Sequence, residues 1–188
     1  VLLMSIPALA LFYGGLVRTK NMLSLLMQVF MIVSIAALVW VSWGYTLAFT
    51  SGTPFIGSLS KLFLQGVDAT TVAATFSNNV YIPEYAFVVF QMTFACITPA
   101  LIVGAFAERV KFAGFLIFTV LWLAFVYCPI AHMTWGVGGL FRGWGLLDFA
   151  GGTVVEINCG VSGLVTALYL GRRIGTNRLG LHNLPVVV

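Results

Sequence analysis

Two carboxylates eight residues apart, Asp148 and Glu156, carry most of the chemistry this chain has to offer. Glu156 lies within Gly151–Leu170, a run of small and apolar residues suited to a membrane interior, and Asp148 lies at its mouth. A carboxylate at the bilayer centre costs roughly 2.5–3.5 kcal/mol on insertion scales, so such a group normally faces a bundle interior or a water-filled path. Were the segment helical, the two acids would be about 12 Å apart along its axis, at ~1.5 Å per residue. One acid at the surface and one inside is what a route for cations or protons would need. Desolvation favours the protonated acid and a nearby cation favours the ionised one, so a group between those pressures can accept and return a proton. The competing reading of Glu156 is a protonated acid hydrogen-bonded to a neighbouring helix. Asp148, in Asp-Phe-Ala-Gly-Gly-Thr153, also reads as a helix cap that satisfies first-turn amides and complements the dipole. A capping carboxylate still lowers the energy of a cation in a vestibule.

Aromatic residues supply a second kind of chemistry. Phe90 and Phe94 are four apart in an apolar run and share a helix face. Trp135 follows the apolar end of another run, in Ala131-His-Met-Thr-Trp-Gly136. A tryptophan there anchors a membrane interface or, paired with a phenylalanine, faces a bound cation, an attraction of about 0.5–2 kcal/mol. His132 and His182 read as structural hydrogen bonders. No Walker motif, HExxH or dinucleotide fingerprint is present, and Gly136-Val-Gly-Gly139 lacks the spacing of a phosphate loop. An ATP-driven pump and an enzyme therefore find no support, and neither a cofactor nor a metal is expected. Cys96, Cys128 and Cys159 are too widely spaced for a metal motif and read as small packing residues.

These residues must be held by membrane helices. Of 188 residues, 61% are hydrophobic and 7% charged, with a mean hydropathy of +1.06; a soluble domain carries about 25% charged residues. The chain reads as an all-α polytopic membrane protein. The net charge of +4 is scattered through short loops and does not imply nucleic acid. Five spans are expected: residues 1–15, too short to cross and read as truncated, then 22–49, 85–106, 112–131 and 152–170. With Leu184-Pro-Val-Val-Val188 resembling the entry to a further span, the chain reads as part of a longer protein and shows no signal peptide. Residues 50–84 form a long polar connection with room for a short surface helix. The turn at Ala107–Lys111 is short enough to make spans three and four antiparallel neighbours. Gly160-Val-Ser-Gly163 permits close helix contact. Pro99 breaks a backbone bond inside span three, and Pro129 marks the end of span four. Arg18, Lys20, Arg109, Lys111, Arg172, Arg173 and Arg178 lie in one set of loops, against Lys61 and Arg142 in the other. The positive-inside rule therefore places the N-terminus outside.

Several motifs coincide with one family. Ala10-Leu-Phe-Tyr-Gly-Gly-Leu-Val-Arg-Thr-Lys-Asn21, Phe94-Ala-Cys-Ile-Thr98, Gly104-Ala-Phe-Ala-Glu-Arg109, Ile130-Ala-His-Met-Thr-Trp135, Asp148-Phe-Ala-Gly-Gly-Thr-Val-Val155 and His182-Asn-Leu-Pro185 resemble the ammonium transporters (Amt/MEP, related to the Rhesus proteins). The resemblance runs along the whole chain and favours the Amt/MEP branch. It implies the first half of an eleven-helix inverted-repeat ammonium-channel fold, assembled as a homotrimer in the plasma membrane with a pore through each subunit. It implies ammonium as substrate, with methylammonium as an analogue, and a P-II type regulatory protein as a partner on the cytoplasmic face. By the same resemblance Trp135 is the outer wall of a recruitment site, and Phe94 a gate phenylalanine with Phe90 toward the outside. Asp148 supports recruitment and deprotonation. Glu156 stands where most members carry the first histidine of a pore-lining pair; a subgroup known among fungal members carries glutamate there. Two alternatives to transport are an ammonium sensor with an attached signalling domain and a truncated, non-conducting fragment.

Overall fold

In a bilayer, apolar stretches such as Met22–Phe49 can satisfy their backbone only as helices, and helices dominate here. The computed structural model describes residues 7–172 except residues 76 and 78. The helices are α1 (Leu9–Leu16), α2 (Met22–Val39), α3 (Tyr45–Phe49), α4 (Glu84–Phe106), α5 (Phe112–Trp122), α6 (Cys128–Trp135), α7 (Leu140–Gly143) and α8 (Asn158–Leu170). Strands β1 (Val72–Ala74) and β2 (Tyr81–Pro83) form an antiparallel hairpin in which Ala73 faces Ile82. Among the described residues π-helical turns punctuate the helices: Trp40–Gly44 joins α2 to α3, Leu123–Tyr127 joins α5 to α6, and Gly152–Ile157 leads into α8.

Among the described residues four helices are long and apolar enough to cross a membrane: Thr19–Phe49, Glu84–Phe106, Phe112–Gly143 and Gly152–Leu170. The shortest, at 19 residues, rises about 28 Å, close to the ~30 Å hydrocarbon core. Their outward surfaces carry Leu23, Leu38, Ile117, Leu121 and Phe125, all exposed. Such surfaces suit an apolar surrounding, and the chain is an integral membrane protein. The expected first span is represented by α1, its opening residues 1–6 lying outside the described residues, as do Arg173, Arg178 and His182.

Span four departs from expectation. It does not end near Pro129 but continues to Trp135. Proline lacks an N–H, and its ring crowds the carbonyl four residues back. The wide turn at Leu123–Tyr127 immediately precedes Cys128-Pro129 and takes up this defect without breaking the helix. In the connection 50–84, where a short surface helix had room to form, Leu62–Leu64 instead makes a tight turn with Phe63 and Leu64 at positive φ, and an unanticipated hairpin follows. Strands of three residues are too short for an alternating pattern to show. In the same connection, hydrogen bonds from the Thr70 hydroxyl and from the Thr70 and Thr71 amides hold the exposed Asp68 carboxyl below the usual carboxylate range. Their contribution to loop order is present above the unfolded carboxyl's pKa and is lost as pH falls through the lowered one.

Helix α4 is central, packed on α2 and on α8. Val29, Ile32 and Ala36 of α2 meet Ala95, Cys96, Ala100 and Val103 of α4 in the core. Spans three and four meet beside their short turn, where the Phe106 and Phe115 rings are 5.3 Å apart, while α5 also packs along α2. Gly163 of α8 faces Ala105 of α4, but a Cβ there would lie 3.5 Å away, an ordinary contact, so the packing does not require glycine at this position. The indole of Trp122 ties α5 to α8 by donating to Ser162 Oγ at 2.9 Å. Gly104 faces the Tyr13 ring, which is pinned by the hydroxyl donating to Leu101 O at 2.9 Å. A Cβ at residue 104 would come within 2.9 Å of that ring. Gly104→Ala is therefore expected to cost about 1–3 kcal/mol through overpacking. Thermal unfolding in detergent checks this, and an unshifted midpoint would show that α1 yields freely.

Candidate functional site

The start of the Glu156 segment is organised by Asp148. Gly151 adopts a left-handed conformation (φ 100), open to glycine at little cost, and this turns the chain into the helix. Asp148 Oδ1 accepts from the Gly151 amide at 2.6 Å, and Oδ2 accepts from the Thr153 and Val154 amides at 2.8 and 3.3 Å. The buried carboxylate thus satisfies orphan amides of a helix start and complements its dipole. Both oxygens are engaged, which is the capping arrangement read from the sequence.

Asp148 also reaches Trp135, through its main chain. The indole Nε1 of Trp135 donates to Asp148 O at 2.8 Å, while Arg142 Nη1 donates to Trp135 O at 2.8 Å. The buried Trp135 ring is held at 5.6 Å from Phe94 in an edge-on contact, and Phe94 meets Phe90 in the same manner at 5.1 Å. Phe90 is half exposed, so the three rings run from the interior to the surface. The structure therefore brings four of the five expected residues together: Trp135 from α6, Phe94 and Phe90 from α4, and Asp148 from the loop before α8. An aromatic face held in a partly buried, low-dielectric setting can bind a cation, and the capped helix start stiffens its support.

Glu156 is placed differently. It lies in the π-helical turn Gly152–Ile157, with its amide bonded to Gly151 O at 3.3 Å, and such turns are frequent at functional sites. Its side chain is exposed, on a surface that continues through Ile157, Val161, Leu164, Val165 and Leu168. An acid thus stands on an otherwise apolar helix surface, away from the aromatic cluster.

His132 is the structural residue it was read to be. Fully buried, its Nδ1 is 3.0 Å from Ala48 O and its Nε2 2.9 Å from Thr53 O, tying α6 to the end of α3 and the following loop. Gly136 and Gly139 have a steric cause: a Cβ would lie 2.6 Å from His132 Nδ1 at the first and 2.2 Å from His132 O at the second. Among the described residues, no three His, Cys, Asp or Glu side chains come together to hold a metal.

Sequence reasoning missed Glu84, taken as the end of a loop. It is buried in the first turn of α4, accepts from the Tyr45 hydroxyl at 2.7 Å and pairs with Lys61. Its partners are 39 and 23 residues away, with no local pattern to announce them.

A sequence model of the Ammonium Transporter Family matches residues 1–188. An ammonium transporter of Bacillus subtilis (strain 168) is 50% identical over 178 residues, 95% of this chain and 43% of its own length. Among solved structures, Mep2 of Saccharomyces cerevisiae superposes with a TM-score of 0.82 at 35% identity, over 99% of this chain and 42% of its own. A structure titled as a sensor Amt protein superposes with a TM-score of 0.83 at 28% identity, over 99% and 47%. This chain spans less than half the length of these relatives.

Proposed function

Because this chain belongs to the ammonium transporter family, whose members here are named transporters rather than enzymes, we propose that it supplies the first half of a pore that takes up ammonium across the plasma membrane. The observation that carries this reading is the Trp135–Phe94 pair, fixed by the Asp148 carbonyl and backed by the Asp148 cap. Ammonium is attracted to the Trp135 face and passes Phe94. Stripping a cation of its water is costly, so the proton leaves near the gate and neutral ammonia crosses an apolar path. Glu156 stands at the relay position, and its exposed surface on α8 is the one that a second, symmetry-related half would cover. In this reading the N-terminus is outside, three copies assemble as a trimer, and the cytoplasmic loops receive a P-II type protein.

Transient currents from reconstituted full-length protein test this. A pulse of ammonium chloride should give a current that an equal pulse of sodium chloride does not. Trp135→Leu should raise the half-saturating ammonium concentration about tenfold, the equivalent of a lost cation–π contact. Absence of any ammonium-specific current would overturn the transport reading. Likeness to the sensor structure supports a second reading, for which saturable ammonium binding without current is the signature.

A further inference from the structure

A second arrangement of charges lies outside the Phe90–Phe94 pair. Beside β1 a chamber of about 230 Å³ is walled by Tyr45, Phe49, Phe87 and Trp135, with Glu84 and Gln91 among its polar lining. Both polar side chains are 3% exposed. Glu84 Oε1 receives the Tyr45 hydroxyl and the Lys61 ammonium. Gln91 Oε1 is buried without a hydrogen-bond partner among the described residues. Phe87 stands edge-on to Phe49 at 4.9 Å and to Tyr45 at 6.5 Å.

This set has a recognisable chemistry. A carboxylate, an amide oxygen, a phenol oxygen and aromatic rings suit a small cation with several N–H donors. One such group is already there, the primary ammonium of Lys61, whose side chain is one-third exposed and reaches in from the loop. Arg142 also lines the chamber, but its guanidinium donates to the Trp135 carbonyl. A buried carboxylate stripped of its counter-charge is strongly destabilising, so the ionised Glu84 calls for a cation beside it.

We propose that this chamber is a second cation site, for small monovalent cations of the ammonium type, in which Lys61 is a tethered occupant that an external cation displaces. Because Trp135 belongs to the chamber wall and also packs on Phe94, occupancy of the chamber bears on the ring assigned to recruitment. The inference rests on the transport reading only for that consequence; the site itself stands on the lining groups. A tethered group competes at an effective concentration in the millimolar range, so removing its charge should strengthen binding of a free cation about tenfold or more.

The probe is thallium(I), a monovalent ion with an anomalous X-ray signal. Crystals of the full-length wild type, Lys61→Met, and Lys61→Met with Glu84→Gln are soaked through a thallium nitrate series. The expected result is an anomalous peak against Glu84 that half-fills in Lys61→Met at about one-tenth of the wild-type concentration and disappears in the double variant. No peak in the chamber of Lys61→Met, or a peak that survives loss of the Glu84 charge, would overturn the proposal. If Lys61→Met does not fold, the wild-type series decides: thallium beside Glu84 with Lys61 displaced supports it, and Lys61 fixed in place at every concentration refutes it. Thallium at Trp135 and Phe94 is scored separately, so failure there bears on the transport reading and not on this site.

Discussion

Asp148→Ala is expected to lower the thermal midpoint of the protein by several degrees and to reduce ammonium uptake at least tenfold. The carboxylate gathers three amides, of Gly151, Thr153 and Val154, and its main chain holds the Trp135 indole. Loss of a cap costs about 0.5–2 kcal/mol, and hydrogen bonds to a charged acceptor about 1.5–3. With the cap gone, the turn at Gly151 loosens and the Asp148 carbonyl no longer fixes the indole. A loosened Trp135 leaves its edge-on contact with Phe94 at a cost of tenfold per 1.4 kcal/mol of lost substrate stabilisation. Asp148→Asn should rescue only in part, because its amide group would turn a donor toward amides that need an acceptor. Differential scanning fluorimetry and uptake of labelled methylammonium measure the two effects together. A wild-type midpoint would refute the cap, and a lowered midpoint with normal uptake would refute the link between cap and recruitment.

Much of this arrangement was legible in the sequence, and the reasons can be traced. The spans announced themselves because 7% charge cannot be spread over helices that are exposed to water. Asp148 could be read as a cap because a short acid before two glycines and an apolar run is a local pattern. Phe90 and Phe94 could be paired because i and i+4 share a helix face. The continuation of span four to Trp135 was hidden because Pro129 ordinarily ends a helix, and no residue pattern in Leu123–Tyr127 signals a π-helical turn. The Glu84–Lys61–Tyr45 cluster was hidden for a different reason, since its members meet only through tertiary packing. The roles proposed for Trp135 as recruiter and Phe94 as gate come from family resemblance, because two aromatic rings in contact are more often plain packing.

Glu156 carries the second large effect. Its side chain is exposed on a π-helical turn, at the head of an apolar helix surface that would meet the other half of the pore. In the proposed relay it would hand a proton along the path, and positioned proton transfer contributes about 10²–10⁴-fold to a rate. Glu156→Gln keeps the shape and hydrogen-bonding reach of the side chain but cannot take up or release a proton. The change should reduce ammonium currents at least tenfold while leaving the melting temperature near that of the wild type, since glutamine matches glutamate in size and shape. Glu156→His, the residue that the family resemblance implies for this place, should recover current with a shifted pH profile.

The most direct measurement is the ammonium current of reconstituted full-length protein as a function of pH, recorded for the wild type and Glu156→Gln at equal protein content. The account predicts a pH-dependent current in the wild type and a small, pH-flat current in the variant. Superimposable profiles of equal amplitude would contradict it.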